Sequence, residues 1–395
     1  MSVIRIAVDA TAIPPRLTGV GIYVAGLLRA LSRRDDVSIE VFADPRSVEV
    51  LRPDGQFSDK RPHPDSSPAQ RPWARSAVRV HAVRAAGAGR PLRIAWTQLG
   101  ATRAASRVGA ALLHGVHYEL PLLGGGPPRV VTIHDLTFIA HPEWHDRAKV
   151  AYFRWAIPRA VRKARRVFCV SRTTARELVE RLEVDAARVD VTALGTDLTP
   201  ASSEAIIRFR RRLGLDAPYI ASLGTLEPRK DIPSLVAAFG SIAREWPHHL
   251  VIAGLKGWGS GTWSRAVVDS EVADRIHLVG YVPEPDKAAL YSGADVFVYP
   301  SRFEGFGLPV LEAMACGVPV VTTTGGALPE VAGDAAVLVA PGNIHGIANA
   351  LSELLGDADE RADLIERGQA RAAEHTWERC AEHTVAGYRR ALEEG

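Results

Sequence analysis

The chain has 395 residues, 47% of them hydrophobic and 24% charged, and a formal net charge of only +3. That length suits two domains of roughly 150 to 200 residues rather than one core, and the composition excludes a disordered or fibrous chain. No run approaches the ~20 apolar residues needed to span a bilayer, and the near-balanced charge calls for no nucleic-acid partner.

The opening, MSVIRIAVDA, alternates like a strand and lacks the apolar core of a secretory signal. Cys169, Cys316 and Cys380 are scattered, with no metal-ligand spacing and no disulfide framework. The expectation is a cytoplasmic protein. Charge is uneven, however. No acidic residue falls between Ser66 and Tyr118, where Arg71, Arg75, Arg79, Arg84, Arg90, Arg93, Arg103 and Arg107 occur. Arg154, Arg159, Arg162, Lys163, Arg165 and Arg166 follow on an expected helix. Such a face suits anionic head groups on the inner side of a membrane, or a phosphorylated acceptor; it equally describes a solvated helical face.

In chain order, the first strand is expected over Val3 to Val8, then a loop with Gly19 and Gly21, then a helix to about Leu31. The spacing is not G-x-G-x-x-G, because Gly26 comes too late. Ser38 to Phe42 reads as a second strand, Pro45 to Ala69 as a surface excursion with helical text after it. Ala111 to Val116 and Arg129 to His134 read as parallel strands that end in polar residues, as strands do at a ligand crevice. His134, at such an end, is either a ligand contact or a structural histidine. A helix over Ala148 to Arg165, strand Val167 to Val170, helix Thr173 to Leu182 and strand Val189 to Thr192 complete the first half, and residues 198–217 read as a linker.

A second βα series starts at Tyr219. Its first strand ends at Gly224, and Arg229 and Lys230 stand at the turn into a helix, where paired cations suit a diphosphate; solvated residues of a capping turn are the other reading. Strands follow at His249 to Ala253, Ile276 to Val279, Val296 to Tyr299, Val318 to Thr322 and Ala336 to Val339. The pattern is doubly wound α/β, twice over. Thr376 to Ala391 has helical periodicity, with Trp377, Cys380, Val385 and Tyr388 as contact positions.

The most informative stretch is Ser301 to Val321, SRFEGFGLPVLEAMACGVPVV. Glu304 sits in a loop, Gly305 and Gly307 free the backbone, and a helix starts near Leu308 with Pro309 and Glu312 in its first turn. The free amides at such a start are an anion site. Two carboxylates beside it suit the hydroxyls of a polyhydroxylated ligand, so a nucleotide sugar meets both demands; the plainer alternative is a first-turn acid and a solvated loop residue.

TGVGIYVAGLLRAL, TIHDLTFIAHPEWH, SLGTLEPRKD, GYVPEPDKAALYSGADVFVYPS and the Glu-x7-Glu stretch EGFGLPVLE together make nearly the whole chain resemble the retaining glycosyltransferases of family 4. The resemblance implies a GT-B fold: two Rossmann-like doubly wound parallel-sheet domains facing across a cleft. They would cover residues 1–197 and 218–375, with 376–395 returning to the first as a helix. It implies that Glu304 contacts the donor sugar, Glu312 the ribose, and Lys230 with Arg229 the diphosphate. The backbone of Gly305, Phe306, Gly307 and Leu308 would assist, beside Gly224 and Thr225. His134 would lie near the transferred sugar, Gly19, Val20 and Gly21 would close over phosphate or acceptor, and the backbone around Gly280, Tyr281 and Val282 would line the base pocket. Many members have arginine where this chain has Thr225, which leaves Arg229 and Lys230 to supply the charge.

The implied reaction is transfer of a hexose, with mannose and GDP-mannose as first choice, from a nucleotide sugar to a saccharide, lipid-linked or small-molecule acceptor. No metal and no cofactor are implied; the one Asp-x-Asp, Asp357 to Asp359, sits where helix capping explains it. The rivals are a sugar-nucleotide epimerase or hydrolase of the same architecture, and a catalytically degenerate nucleotide-sugar-binding subunit.

Overall fold

The computed structural model describes residues 3–53 and 77–394. Two compact units form: Met1–Pro142, Arg147–Gly195 and Trp377–Gly395 make the first, and Glu143–Asp146 with Thr196–Thr376 the second.

The first unit holds β1 (Ile4–Ala10), β2 (Val37–Ala43), β3 (Val78–Ala82), β4 (Leu112–Gly115), β5 (Arg129–Ile133), β6 (Arg166–Cys169) and β7 (Val189–Val191). They pair in parallel in the order β3-β2-β1-β4-β5-β6-β7. In β5 all five residues are buried, as expected of a strand covered on both faces. The second unit holds β8 (Tyr219–Leu223), β9 (His249–Ala253), β10 (Ile276–Gly280), β11 (Val296–Tyr299), β12 (Val320–Thr323) and β13 (Val337–Val339). Their order is β10-β9-β8-β11-β12-β13, again all parallel. Each sheet reverses its winding once, at β1/β4 and at β8/β11. Ligands of open α/β sheets bind outside the carboxyl ends at that point.

Helices cover both sheets. In the second unit, Ile232–Ile242 and Ile344–Gly356 bury Leu235, Phe239, Ile347 and Leu351 with Ile220, Leu250 and Val298 of the strands. In the first unit, the last helix, Trp377–Glu393, packs on helix Gly19–Ser32. Trp377, Cys380, Val385 and Tyr388 are all buried. The close approach depends on Gly26: a Cβ there would lie 2.2 Å from the Trp377 ring.

Three expectations need correction. The helical text after the surface excursion begins instead with β3, whose VRVHA buries only Val78 and pairs with β2; flanking arginines and alanines disguised an edge strand. Residues 54–69 of the excursion lie outside the described residues, as do Arg71 and Arg75. Within 198–217, read as a linker, residues Ser203–Leu213 form a helix belonging to the second unit. The basic stretches are not one solvated face. Arg79 pairs with Glu40 at 3.3 Å, Arg93 with buried Glu119, and Arg166 lies on β6, paired with Asp190 at 2.5 Å and with Glu394.

Candidate functional site

At the β8/β11 reversal, the loop after β8 carries Arg229 and Lys230 and the loop after β11 carries Ser301 and Glu304. Glu304 is buried and collects donors on both oxygens. Oε1 accepts from Lys230 Nζ, from Ser301 Oγ at 2.6 Å and from the Tyr299 hydroxyl at 3.0 Å. Oε2 meets Arg229 Nη1 at 2.6 Å. Arg229 is held in turn by Glu227 at 2.6 Å and by the Phe303 carbonyl at 2.9 Å. Burial alone would raise the Glu304 carboxyl, but the charges of Arg229 and Lys230 outweigh it and hold the group at about 2. Burial and the neighbouring Arg229 push the Lys230 ammonium below its ordinary range, against the pull of Glu304.

Two glycines set this loop. Gly326, at φ +63°, approaches so closely that a Cβ would lie 2.3 Å from the Glu304 carbonyl oxygen, which accepts from Ala327 N at 2.8 Å. Gly307, at φ +105°, precedes helix Leu308–Ala315 and is a conformation few other residues adopt. Pro309 is thus the second helical residue.

Glu312 is the fifth residue of this helix, just past its first turn, and so is not a first-turn acid. It is 2% exposed. Lys287 Nζ donates to Oε1 at 2.9 Å and the Tyr291 hydroxyl to Oε2 at 2.7 Å, while Lys287 also pairs with Glu284 at 2.6 Å. Burial would lower the Lys287 ammonium, but Glu312 and Glu284 together raise it. Glu284, Lys287 and Tyr291 stand on one face of helix Glu284–Ser292 at spacings of three and four. That spacing was readable inside GYVPEPDKAALYSG; Tyr299 and Ser301, at a strand's end, gave no signal apart from their position. Tyr281 and the buried Val282 follow Gly280, whose φ of +69° ends β10, and Gly224 and Thr225 directly follow β8.

In the first unit His134 follows β5. Its Nε2 bonds the Val116 carbonyl at 2.8 Å, so Nε2 carries the proton. Burial lowers this imidazole, which is neutral near pH 7. Tyr23 and Tyr118 pack edge-on against the ring. Gly19, Val20 and Gly21 are not loop residues: they form the first turn of helix Gly19–Ser32. Asp357 caps helix Ala358–Ala373, its Oδ1 accepting from Asp359 N at 3.0 Å and Glu360 N at 2.9 Å.

Residues 17–199 match the family model for Glycosyltransferase Family 4 and residues 203–371 that for glycosyl transferases group 1. The chain is 32% identical to the O-antigen chain mannosyltransferase B of Escherichia coli over 70% of its own length and 74% of that protein. The chain is a family 4 glycosyltransferase. This glycosyltransferase is also 29% identical to the MMP alpha-(1->4)-mannosyltransferase of Mycolicibacterium hassiacum, over 68% of its own length and 66% of the relative. Its fold is shared with HepE of Anabaena, solved in complex with UDP-glucose, at a TM-score of 0.74 and 20% identity, covering 98% of this chain and 100% of that one. The family 4 glycosyltransferase therefore has the GT-B architecture and catalyses glycosyl transfer, and nothing among the relatives favours an epimerase.

Proposed function

We propose that this glycosyltransferase moves a mannosyl residue, with retention, from GDP-mannose to a saccharide or lipid-linked acceptor. Both mannosyltransferase relatives support the sugar. The observation that carries the mechanism is the pair of cations, Arg229 and Lys230, gathered on one carboxylate at the reversal point of the second sheet.

As the bond between sugar and diphosphate breaks, negative charge grows on the leaving group and positive charge on the sugar. Lys230 has three N–H donors and Arg229 five, so each has donors to offer a diphosphate while still touching Glu304. Amides of the Gly305, Phe306, Gly307 and Leu308 segment add to them. Such donors, fixed before the reaction, stabilise the developing charge without reorganising. Glu304, anionic at any working pH, takes hydrogen bonds from hydroxyls of the donor sugar by displacing Ser301 or Tyr299. Glu312 takes those of the ribose, with Lys287 holding its carboxylate in place. Gly224 and Thr225 lie beside the phosphates, Tyr281 and Val282 beside the base. The neutral His134, its Nε2–H engaged by the Val116 carbonyl, accepts one hydrogen bond on Nδ1 from a hydroxyl of the transferred sugar, and the helix start at Gly19, Val20 and Gly21 serves phosphate or acceptor. The reaction needs no metal and no cofactor, the charge being supplied by the protein.

Acceptor delivery from an anionic membrane surface is part of this reading. Leu92, Leu99 and Leu123 are exposed, among exposed Arg84, Arg90, Arg103 and Arg107, the mixture of apolar and basic groups that binds such surfaces. Co-sedimentation with phosphatidylglycerol vesicles, weakened by salt, is expected; absence of binding removes this part.

The test of the whole is a panel of GDP-, UDP- and dTDP-sugars scored by thermal stabilisation and by transfer. GDP-mannose is expected to stabilise most and to be consumed only with an acceptor. Consumption or isomerisation without acceptor points to the rival enzyme, and binding without turnover to a degenerate subunit.

A further inference from the structure

The second unit holds a cavity of about 370 Å³ beside the Glu304 group and separate from it. That volume lies in the range of small-ligand pockets. Trp144, Trp263 and Ile344 give it apolar walls, and Glu227, Asp231 and Arg302 give it charged ones. We propose that this cavity binds a pyranose unit of a glycan, as a saccharide site distinct from the donor site.

Three observations converge on that ligand class. The first is the wall chemistry: a pyranose has an apolar C–H face that lies flat on an indole, and a rim of hydroxyls that needs charged or polar partners. The second is an acid and a base side by side: Arg302, half-exposed, meets the buried Asp231 carboxylate at 3.2 Å, so neighbouring hydroxyls, each donor and acceptor at once, find both kinds of partner together. The third is the backbone that shapes the cavity. Asp231 adopts φ +49°, a left-handed conformation costly for a residue with a side chain, and Gly342, at φ +77°, lies close by: a Cβ added to it would sit 3.9 Å from Asp231 Oδ2.

The location ties this site to the reaction. Glu227, a wall of the cavity, is the partner that holds Arg229 at 2.6 Å, and Arg229 holds Glu304. Arg302, another wall, donates its backbone N–H to the Arg229 carbonyl at 2.7 Å. A glycan seated here touches the same residues that steady the cation at the proposed diphosphate site. A growing polysaccharide would thereby be held by a unit already built while its end is extended.

The choice of a glycan as occupant rests on the acceptor reading above, and the experiment separates the two. Binding of α-linked mannotriose and of methyl α-mannoside is measured by saturation-transfer NMR and calorimetry, without any nucleotide, for wild type, Trp144→Ala and Trp144→Phe. GDP binding is measured in parallel. The expected result is saccharide binding by wild type, weakened about tenfold or more in Trp144→Ala, which is about 1.4 kcal/mol, and largely restored in Trp144→Phe, with GDP affinity unchanged in all three. Two results overturn the proposal: no saccharide binding by wild type at millimolar concentration, or equal binding by wild type and Trp144→Ala, which would leave water as the occupant. Loss of GDP binding by wild type would overturn the nucleotide-sugar reading and leave this titration unaffected.

Discussion

Arg229 and Glu304 are ion-paired at 2.6 Å, and Lys230 bonds the other oxygen of the same carboxylate. The two cations expected at the diphosphate therefore also keep the expected sugar contact ionised. That sharing generates a pH dependence. The Glu304 carboxyl sits at about 2 in the folded chain against an ordinary value of 4.5. A depressed carboxyl contributes stability that is complete above its unfolded value and is lost as pH falls through the folded one. The window is thus roughly pH 4.5 down to 2, and the contribution on the order of 3 kcal/mol. Urea midpoints at pH 6 and pH 3 are expected to fall less in Glu304→Gln than in wild type. An equal fall in both would remove the assignment.

Lys287 is a second buried cation with two carboxylates, Glu312 and Glu284. Lys287→Met leaves both without it, and breaking a buried pair from one side costs about 3 to 5 kcal/mol. A clear drop in melting temperature is expected, partly recovered in Lys287→Met with Glu312→Gln. An unchanged melt in the single variant contradicts the account.

The last helix approaches the first unit closely at Gly26. Gly26→Ala puts a Cβ 2.2 Å from the Trp377 ring, and overpacking of that kind costs typically about 1 to 3 kcal/mol. Thermal melts of Gly26→Ala should show that loss, smaller when combined with Trp377→Leu. No loss would mean the helix shifts freely.

Much of this was legible in the chain itself, for stated reasons. Parallel strands buried on both faces are short apolar runs, which is why His249–Ala253 and Val296–Tyr299 stand where the sequence placed them. Glu304 and Glu312 were visible because glycines and a proline punctuate the stretch. Their partners were not. Tyr299 ends a buried strand and looks like core, and Lys287 looks like a surface residue until its spacing from Glu284 and Tyr291 is noticed. Gly325 and Gly326 give no hint of Glu304, because the contact joins two loops through the Gly326 bridge. The edge strand β3 was hidden by arginines, since an exposed face carries no apolar pattern.

Transfer should persist in EDTA, because fixed cations rather than a metal carry the leaving-group charge in this account. Abolition of transfer by EDTA, restored by a divalent ion, would contradict that step.

The central claim is that Lys230 and Arg229 stabilise a leaving diphosphate. Steady-state transfer from GDP-mannose by Lys230→Ala, with circular dichroism to verify folding, tests it most directly. Loss of one preorganised donor costs typically about 2.7 to 4 kcal/mol, so kcat should fall by roughly 10² or more. A folded Lys230→Ala variant with near-normal kcat would contradict the account.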